Sequence, residues 1–311
     1  DYNSSEIMLN KPLVISGTGS TGVVFKKWMN LAGGAGFSTS TAKNEVTTLP
    51  GTTRASIIKT DLSGSKNTGV YFESTSTNPF NLNEYKINIE GNNNTGIFVK
   101  QGTVALGSGT DHSINITSGS DNIGIFTKQA MTSAADITIT ADKSTGIFAQ
   151  NAGVSTSTGK ISATGAAVKA IVADNSTVTS SGQIDVTGTA LSPTDGTAGL
   201  LAVNGGTITH TGGGTINVSG SGSAGAVGQG GTVDITGGTI SSADGALNTY
   251  ASGGGTVKLN STTIDTGQKS LAFFADGGQI KFAGTTANIA GGTDANTRGT
   301  AFYYKGSGYS P

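Results

Sequence analysis

Ser144-Thr145-Gly146-Ile147-Phe148-Ala149-Gln150 is the stretch that decides the fold, because it recurs in variant form along the chain. Thr68-Gly69-Val70-Tyr71-Phe72-Glu73, Thr95-Gly96-Ile97-Phe98-Val99-Lys100 and Ile123-Gly124-Ile125-Phe126-Thr127-Lys128 are further copies. Each reads as a short strand opened by a small residue and closed by a polar one. Aligning the small residue gives Gly22, Gly69, Gly96, Gly124, Gly146, Ala170, Gly199, Gly225, Ala246, Ala272 and Ala301. After Gly69 the period is about 26 residues and uneven, so turns vary in length while strands persist.

Two more strand signals accompany each copy. One follows a glycine, as in Gly102-Thr103-Val104-Ala105-Leu106 and Gly255-Thr256-Val257-Lys258-Leu259. The other alternates apolar and polar residues, as in Ile87-Asn88-Ile89, Ile114-Asn115-Ile116 and Ile184-Asp185-Val186. Such alternation marks strands with one buried face. Three short strands per unit describe an all-β, right-handed parallel β-helix, a β-solenoid of about eleven coils with negligible helix. No unit can bury its apolar face alone, and stacking makes the core continuous. A leucine-rich repeat lacks support in the Leu spacing, and a β-sandwich would not repeat one motif in every unit.

Composition agrees. Of 311 residues, 50 are Gly and 12% are charged, which disfavours helices and suits strands joined by tight turns. The formal charge of −1 provides no electrostatic footprint for nucleic acid. There is no cysteine, which excludes disulfides and thiolate metal sites. No apolar run reaches the ~20 residues of a membrane helix, so the rod itself is not expected to span a bilayer.

The regular spacing breaks near the N-terminus. An excursion over residues 28–55 contains Trp28, Met29 and Phe37, and a second over 74–85 contains Phe80 and Tyr85. A smaller one runs from Leu191 to Asp195. No polar cap is evident at the C-terminal end. The expectation is therefore a single β-helix segment over 1–311, part of a longer rod.

Catalysis finds no support. The residue four after each small one reads Lys26, Glu73, Lys100, Lys128, Gln150, Asp174, Val203, Gln229, Tyr250, Asp276, Lys305, a mixed ladder. Asp174 and Asp276 sit four units apart, roughly 19 Å, too far to cooperate. His112 and His210 read as surface polar residues without a partner at ligand spacing. Gly291-Gly292-Thr293-Asp294 is like a calcium-binding glycine repeat but occurs once and off pattern. No catalytic residue, metal or cofactor is expected.

The repeat, with its Asn/Gly turns and Gly-Gly-Thr-Val strands, resembles the passenger domain of type V autotransporters, and is most similar to the large fusobacterial autotransporter adhesins. The resemblance covers residues 56 to 305. It implies a surface-exposed right-handed β-helix at the bacterial cell surface, exported across the outer membrane through a barrel. It also implies a monomeric passenger that adheres to a host cell-surface protein or glycan. The family offers no shared binding motif to transfer to individual residues.

Candidate contact residues come from the pattern itself. The motif's second position is uniformly apolar and is assigned inward, which sends the third outward. Tyr71, Phe98, Phe126 and Phe148 would then form an aromatic ladder outside the rod, unless that row is the inward one or the 28–55 excursion covers it. Trp28, Met29, Phe37, Phe80 and Tyr85 are the candidates on the excursions, since loops on a rigid scaffold carry recognition. The alternatives are a passive stalk presenting a distant tip, and a polysaccharide-active β-helix enzyme.

Overall fold

The computed structural model describes residues 13–26, 57–73, 80–82, 84–108, 112–152, 154–189, 195–294 and 296–305. Every regular element among them is a strand. The described strands form three parallel sheets of eleven, eleven and nine members, each sheet taking every third strand from Ile57–Leu62 onward. The chain is a β-solenoid. Among the described residues, nine turns contain all three strands, and the first and last turns contain two each. The expected count of about eleven coils matches the two long sheets, and nine of those turns show all three strands among the described residues.

The first sheet is built from the alternating segments. Ile87 pairs Ile114, which pairs Ile137, which pairs Ile161, and all are buried. Their polar neighbours Asn88, Asn115 and Thr138 face outward in their own row. Each turn thereby lays one apolar row on the next, about 4.8 Å along the rod. A single buried cluster runs through the interior from Ile15 to Phe273. Burying each Ile side chain is worth about 1.5–3 kcal/mol, but only once a neighbouring turn covers it.

The second sheet carries the Gly-Ile-Phe motif. In Thr95–Gln101, Gly96, Ile97 and Val99 are buried while Phe98 is half-exposed. Two consecutive inward residues mean that the strand kinks at the small one. At that kink the backbones of successive turns approach closely. A Cβ on Gly96 would lie 2.6 Å from Gly124 O, and one on Gly146 would lie 2.6 Å from Ala170 O. The register shows one substitution in this column that smallness could not reveal. Leu247 pairs Leu271 and Tyr250 pairs Phe274, so Asn248, not Ala246, occupies the small position. Tyr250 consequently belongs to the aromatic row and Ser252 to the turn-facing column.

Asn248 fits because the interior is polar there. Its Oδ1 accepts from Ser242 Oγ and Thr266 Oγ1, both at 2.8 Å, and its Nδ2 donates to Ile240 O at 2.7 Å and Asp265 O at 3.1 Å. Elsewhere, too, asparagines hold the solenoid. At the corner entering the second sheet, Asn67, Asn94 and Asn122 are buried one above another. Asn67 N donates to Asn94 Oδ1 and Asn94 N to Asn122 Oδ1, both at 2.8 Å. The side-chain amide of Asn94 meanwhile donates to Glu90 O at 2.6 Å, closing its own turn.

The third sheet has a mixed interior. Leu106, Ser133, Ser157, Ser180, His210, Ile235 and Leu259 stack in one inward row. His210 is 1% exposed, which corrects its reading as a surface residue. The second excursion is also shorter than expected. Phe80–Leu82 and Glu84–Ile89 are strands of the third and first sheets, and only 74–79 and 83 within it lie outside the described residues.

Candidate functional site

The outer face of the second sheet has the features of a contact surface. Alternation along each strand turns the motif's third residue outward. The in-register stack then brings these residues into one row that opens with the exposed Val24 and runs through Tyr71, Phe98, Phe126 and Phe148. It continues through Val172, Leu201 and Val227 to Tyr250, Phe274 and Tyr303, with Val172 and Val227 buried at 7% and 6% exposure and Tyr303 exposed. No polar residue interrupts it from Tyr71 to Tyr303.

The ring geometry limits what the row can bind. Phe98 and Phe126 have centroids 4.9 Å apart and planes 9° from parallel, and Phe126 and Phe148 follow at 5.3 Å and 14°. Tyr71 meets Phe98 edge-on at 5.4 Å. Stacked rings satisfy each other's faces and present edges to solvent. A sugar stacks on an open ring face, so this ladder suits an apolar protein surface better than a glycan.

Between the two aromatic blocks the face sinks into a groove of about 290 Å³, floored by Ala198, Leu201, Ala224 and Val227 and walled by Leu247 and Tyr250. Small residues at Ala198 and Ala224 make the depression. Charges border it. Lys169 pairs with Asp195 at 2.6 Å, and Lys305 approaches Asp276 at 3.7 Å. Beside the first aromatic block, Lys100 pairs with Glu73 at 2.7 Å, and Glu73 also accepts from Tyr71 Oη at 2.9 Å. Burial and then the Glu73 hydrogen bond raise the Tyr71 pKa, while Glu73 raises that of Lys100. Tyr71 is therefore neutral and Lys100 charged near neutral pH. Lys128 Nζ lies 5.6 Å from the Phe126 centroid, which sets a positive charge beside the ladder.

The other sequence candidates fall elsewhere. Trp28, Met29 and Phe37 lie outside the described residues. Phe80 opens a strand of the third sheet. Tyr85 is fully buried in the first sheet, with its hydroxyl donating to Gly107 O at 3.1 Å, so it is a core residue and not a loop contact. The structure thus gathers Tyr71, Phe98, Phe126 and Phe148 and separates them from Tyr85. The groove and the second aromatic block escaped sequence reasoning. Their signal was available in Val172, Leu201 and Val227, which continue an outward row of apolar residues.

The acidic residues are held by their neighbours. Asp174 accepts from Gln150 Nε2 at 3.0 Å and from Asn204 Nδ2 at 2.7 Å. Asp185, Asp234 and Asp265 accept from Asn217, Asn260 and Asn288, each at 2.7 Å and each one turn away. Burial raises the Asp185 pKa, but the hydrogen bonds from Asn217 and Gln183 and the Lys160 ion pair outweigh it and lower the net value. Among the described residues no group of three or more His, Asp or Glu could hold a metal ion. No described helix is long and apolar enough to cross a membrane.

Comparison with protein-family models, with curated proteins and with solved structures gave no match. The fold defines the chain as a β-solenoid, and the outer row and groove are the features from which its role has to be argued.

Proposed function

We propose that this chain is a rigid binding segment of a bacterial surface adhesin of the autotransporter-passenger kind, exported across the outer membrane to meet a host cell-surface protein. The observation that carries this reading is the uninterrupted apolar row on the outside of the second sheet. A contiguous apolar strip on an exterior face is a recognised mark of a protein contact surface. A stalk that merely spans distance needs ladders inside, where Ile and Val stack, and polar ladders outside, as on the first sheet. It has no use for a Phe column outside.

The mechanism is multipoint contact on a stiff scaffold. Ring edges supply apolar area, the groove offers a recess for a projecting side chain, and Lys100, Lys128, Asp276 and Lys305 at the margin orient the partner. Parallel backbone hydrogen bonding keeps the row straight, so little ordering entropy is lost on binding.

The test is binding of the purified chain to host cells, compared with Phe98→Ser/Phe126→Ser. The expected result is at least a tenfold loss of binding with little change in melting temperature, since both rings are outside the core. Undiminished binding by the variant would remove the second sheet from the reading. A wild-type segment that binds no host cell would favour the stalk.

A further inference from the structure

The outer face of the second sheet is complementary to itself. We propose that it pairs with a second copy of this chain, two rods lying antiparallel about a two-fold axis that runs along the strands between Val172 and Leu201. The inference rests on the reading of this face as a contact surface, but not on the existence of a host receptor. It also departs from the monomeric passenger that the resemblance implies.

Charge order carries the argument. Beside the row, the outward residue after the motif is Glu73 on the Tyr71 turn, Lys100 on the Phe98 turn, Asp276 on the Phe274 turn and Lys305 on the Tyr303 turn. The Val24 turn, closed by Lys26, precedes them, and a register shift sets Gln101, the residue after Lys100, opposite Glu73. Rotation about an axis along the strands reverses the rod and keeps these margins together. Glu73 then faces the second copy's Lys305, and Lys100 faces its Asp276. The symmetry repeats both pairs, since an isologous contact forms each pair twice. Sliding by one turn in one direction would set Glu73 against Asp276, and in the other Lys100 against Lys305. Of these three registers, only the centred one avoids like charges at these four positions. A parallel pair would instead turn Lys100 toward Thr95 and Asp276 toward Leu271.

The apolar row fits the same register. Phe98 opposes Phe274, Phe126 opposes Tyr250, and Phe148 opposes Val227 beside the groove, where small residues leave room for the larger ring. The size is adequate as well. Turns about 4.8 Å apart over the length of the row, with strands about 20 Å long, cover on the order of 900 Å² per partner, close to the ~800 Å² of a standard interface. The side chains of Lys100 and Asp276 remain accessible, at 50% and 35%. Each can therefore exchange its bond within the rod for one across the interface without a prior burial cost. Rods displayed on neighbouring cells meet from opposite directions, the orientation that antiparallel pairing requires.

The experiment is sedimentation of the purified chain over a concentration series, with Lys100→Glu, Asp276→Lys, their mixture and the double variant. The wild type should dimerise. Each single variant sets like charges together at two sites and should weaken the dimer at least tenfold. In a mixed dimer of the two single variants, the introduced glutamate faces the introduced lysine at one site, and the native Lys100 faces the native Asp276 at the other. The double variant reverses the pair at both sites. The mixture, and the double variant alone, should recover association to within about threefold of wild type. Recovery also excludes misfolding as the cause of the losses. A wild-type chain that stays monomeric up to about 100 µM overturns the inference, as does a dimer insensitive to both reversals or one not recovered by mixing. Host-cell binding, measured separately, decides the adhesin reading whichever way the sedimentation falls.

Discussion

The backbone amide of Asn94 donates to Oδ1 of Asn122 across 2.8 Å, tying the corner of one turn to the corner of the next. The same atom type on Asn94 receives the amide of Asn67. A buried corner amide that would otherwise be unsatisfied thus finds its partner in a side chain one turn away. Asn94→Ala leaves the buried Asn67 amide without its acceptor and removes the donor to the part-buried Glu90 O. The expected loss is about 2–4 kcal/mol in urea-induced unfolding. Asn94→Asp keeps the acceptor and loses the donors, and its stability should fall between wild type and the alanine variant.

Gly91 and Gly205 separate the conformational from the steric need for glycine. Both are left-handed, with φ of +84° and +78°. A Cβ on Gly91 would overlap the carbonyl of Gly64 on the preceding turn, whereas one on Gly205 meets no atom within 4 Å. Gly205→Ala should cost about 1 kcal/mol from backbone strain alone. Gly91→Ala must also push two turns apart and should cost at least about 3 kcal/mol, read from thermal melts of both variants.

Asn248 should prove more important than the Gly and Ala residues that share its column. Its side chain satisfies two hydroxyls and two carbonyls inside the rod. Restoring the repeat with Asn248→Gly therefore destabilises, by about 2–4 kcal/mol in denaturant titration. The triple change Asn248→Gly/Ser242→Val/Thr266→Val removes both hydroxyls with their acceptor and should recover part of that loss.

His210 gives the rod an acid sensitivity. Its ring is buried, Nδ1 lies 3.2 Å from Ser180 Oγ, and Nε2 has no well-aligned hydrogen-bond partner. Burial lowers its pKa from the usual 6.5, only partly offset by the Gly214 backbone. The unfolded chain then binds a proton that the folded rod resists. Stability from this residue is complete above about pH 6.5 and is lost as pH falls from there through the folded pKa. Melting temperature should drop across that window in the wild type. His210→Leu, which extends the row of Ile235 and Leu259, should flatten that drop.

Much of this was legible in the chain because the backbone itself imposes the signal. Close approach at the kink demands Gly or Ala, so Gly96, Gly124 and Gly146 announce their turns. The same rule misled at one turn. Ala246 satisfied it by identity, but it occupies the corner column of Ser223 and Ser270, while Asn248 holds the kink through hydrogen bonds that composition does not reveal. Tyr250 was hidden with it. Met131–Ser133 and Val154–Ser157 were faint because serine at an inward position breaks the apolar alternation. Tyr85 looked like a loop aromatic because its neighbours Asn83 and Glu84 are polar, yet its pairing with His112 places it on an inward row. The outer aromatic block followed from the uniformity of the second position. The groove and the charge symmetry needed the register, because they relate residues up to nine turns apart.

The direction of the ladders has a mechanical consequence. Backbone hydrogen bonds between successive turns run along the rod, so tension applied at its two ends loads them in series rather than side by side. Such a body yields by peeling one turn at a time, and each detached turn releases about 26 residues of slack at roughly 3.3–3.6 Å apiece. In the proposed adhesin, shear on the attached cell would draw out a lengthening tether before the contact itself was strained to breaking.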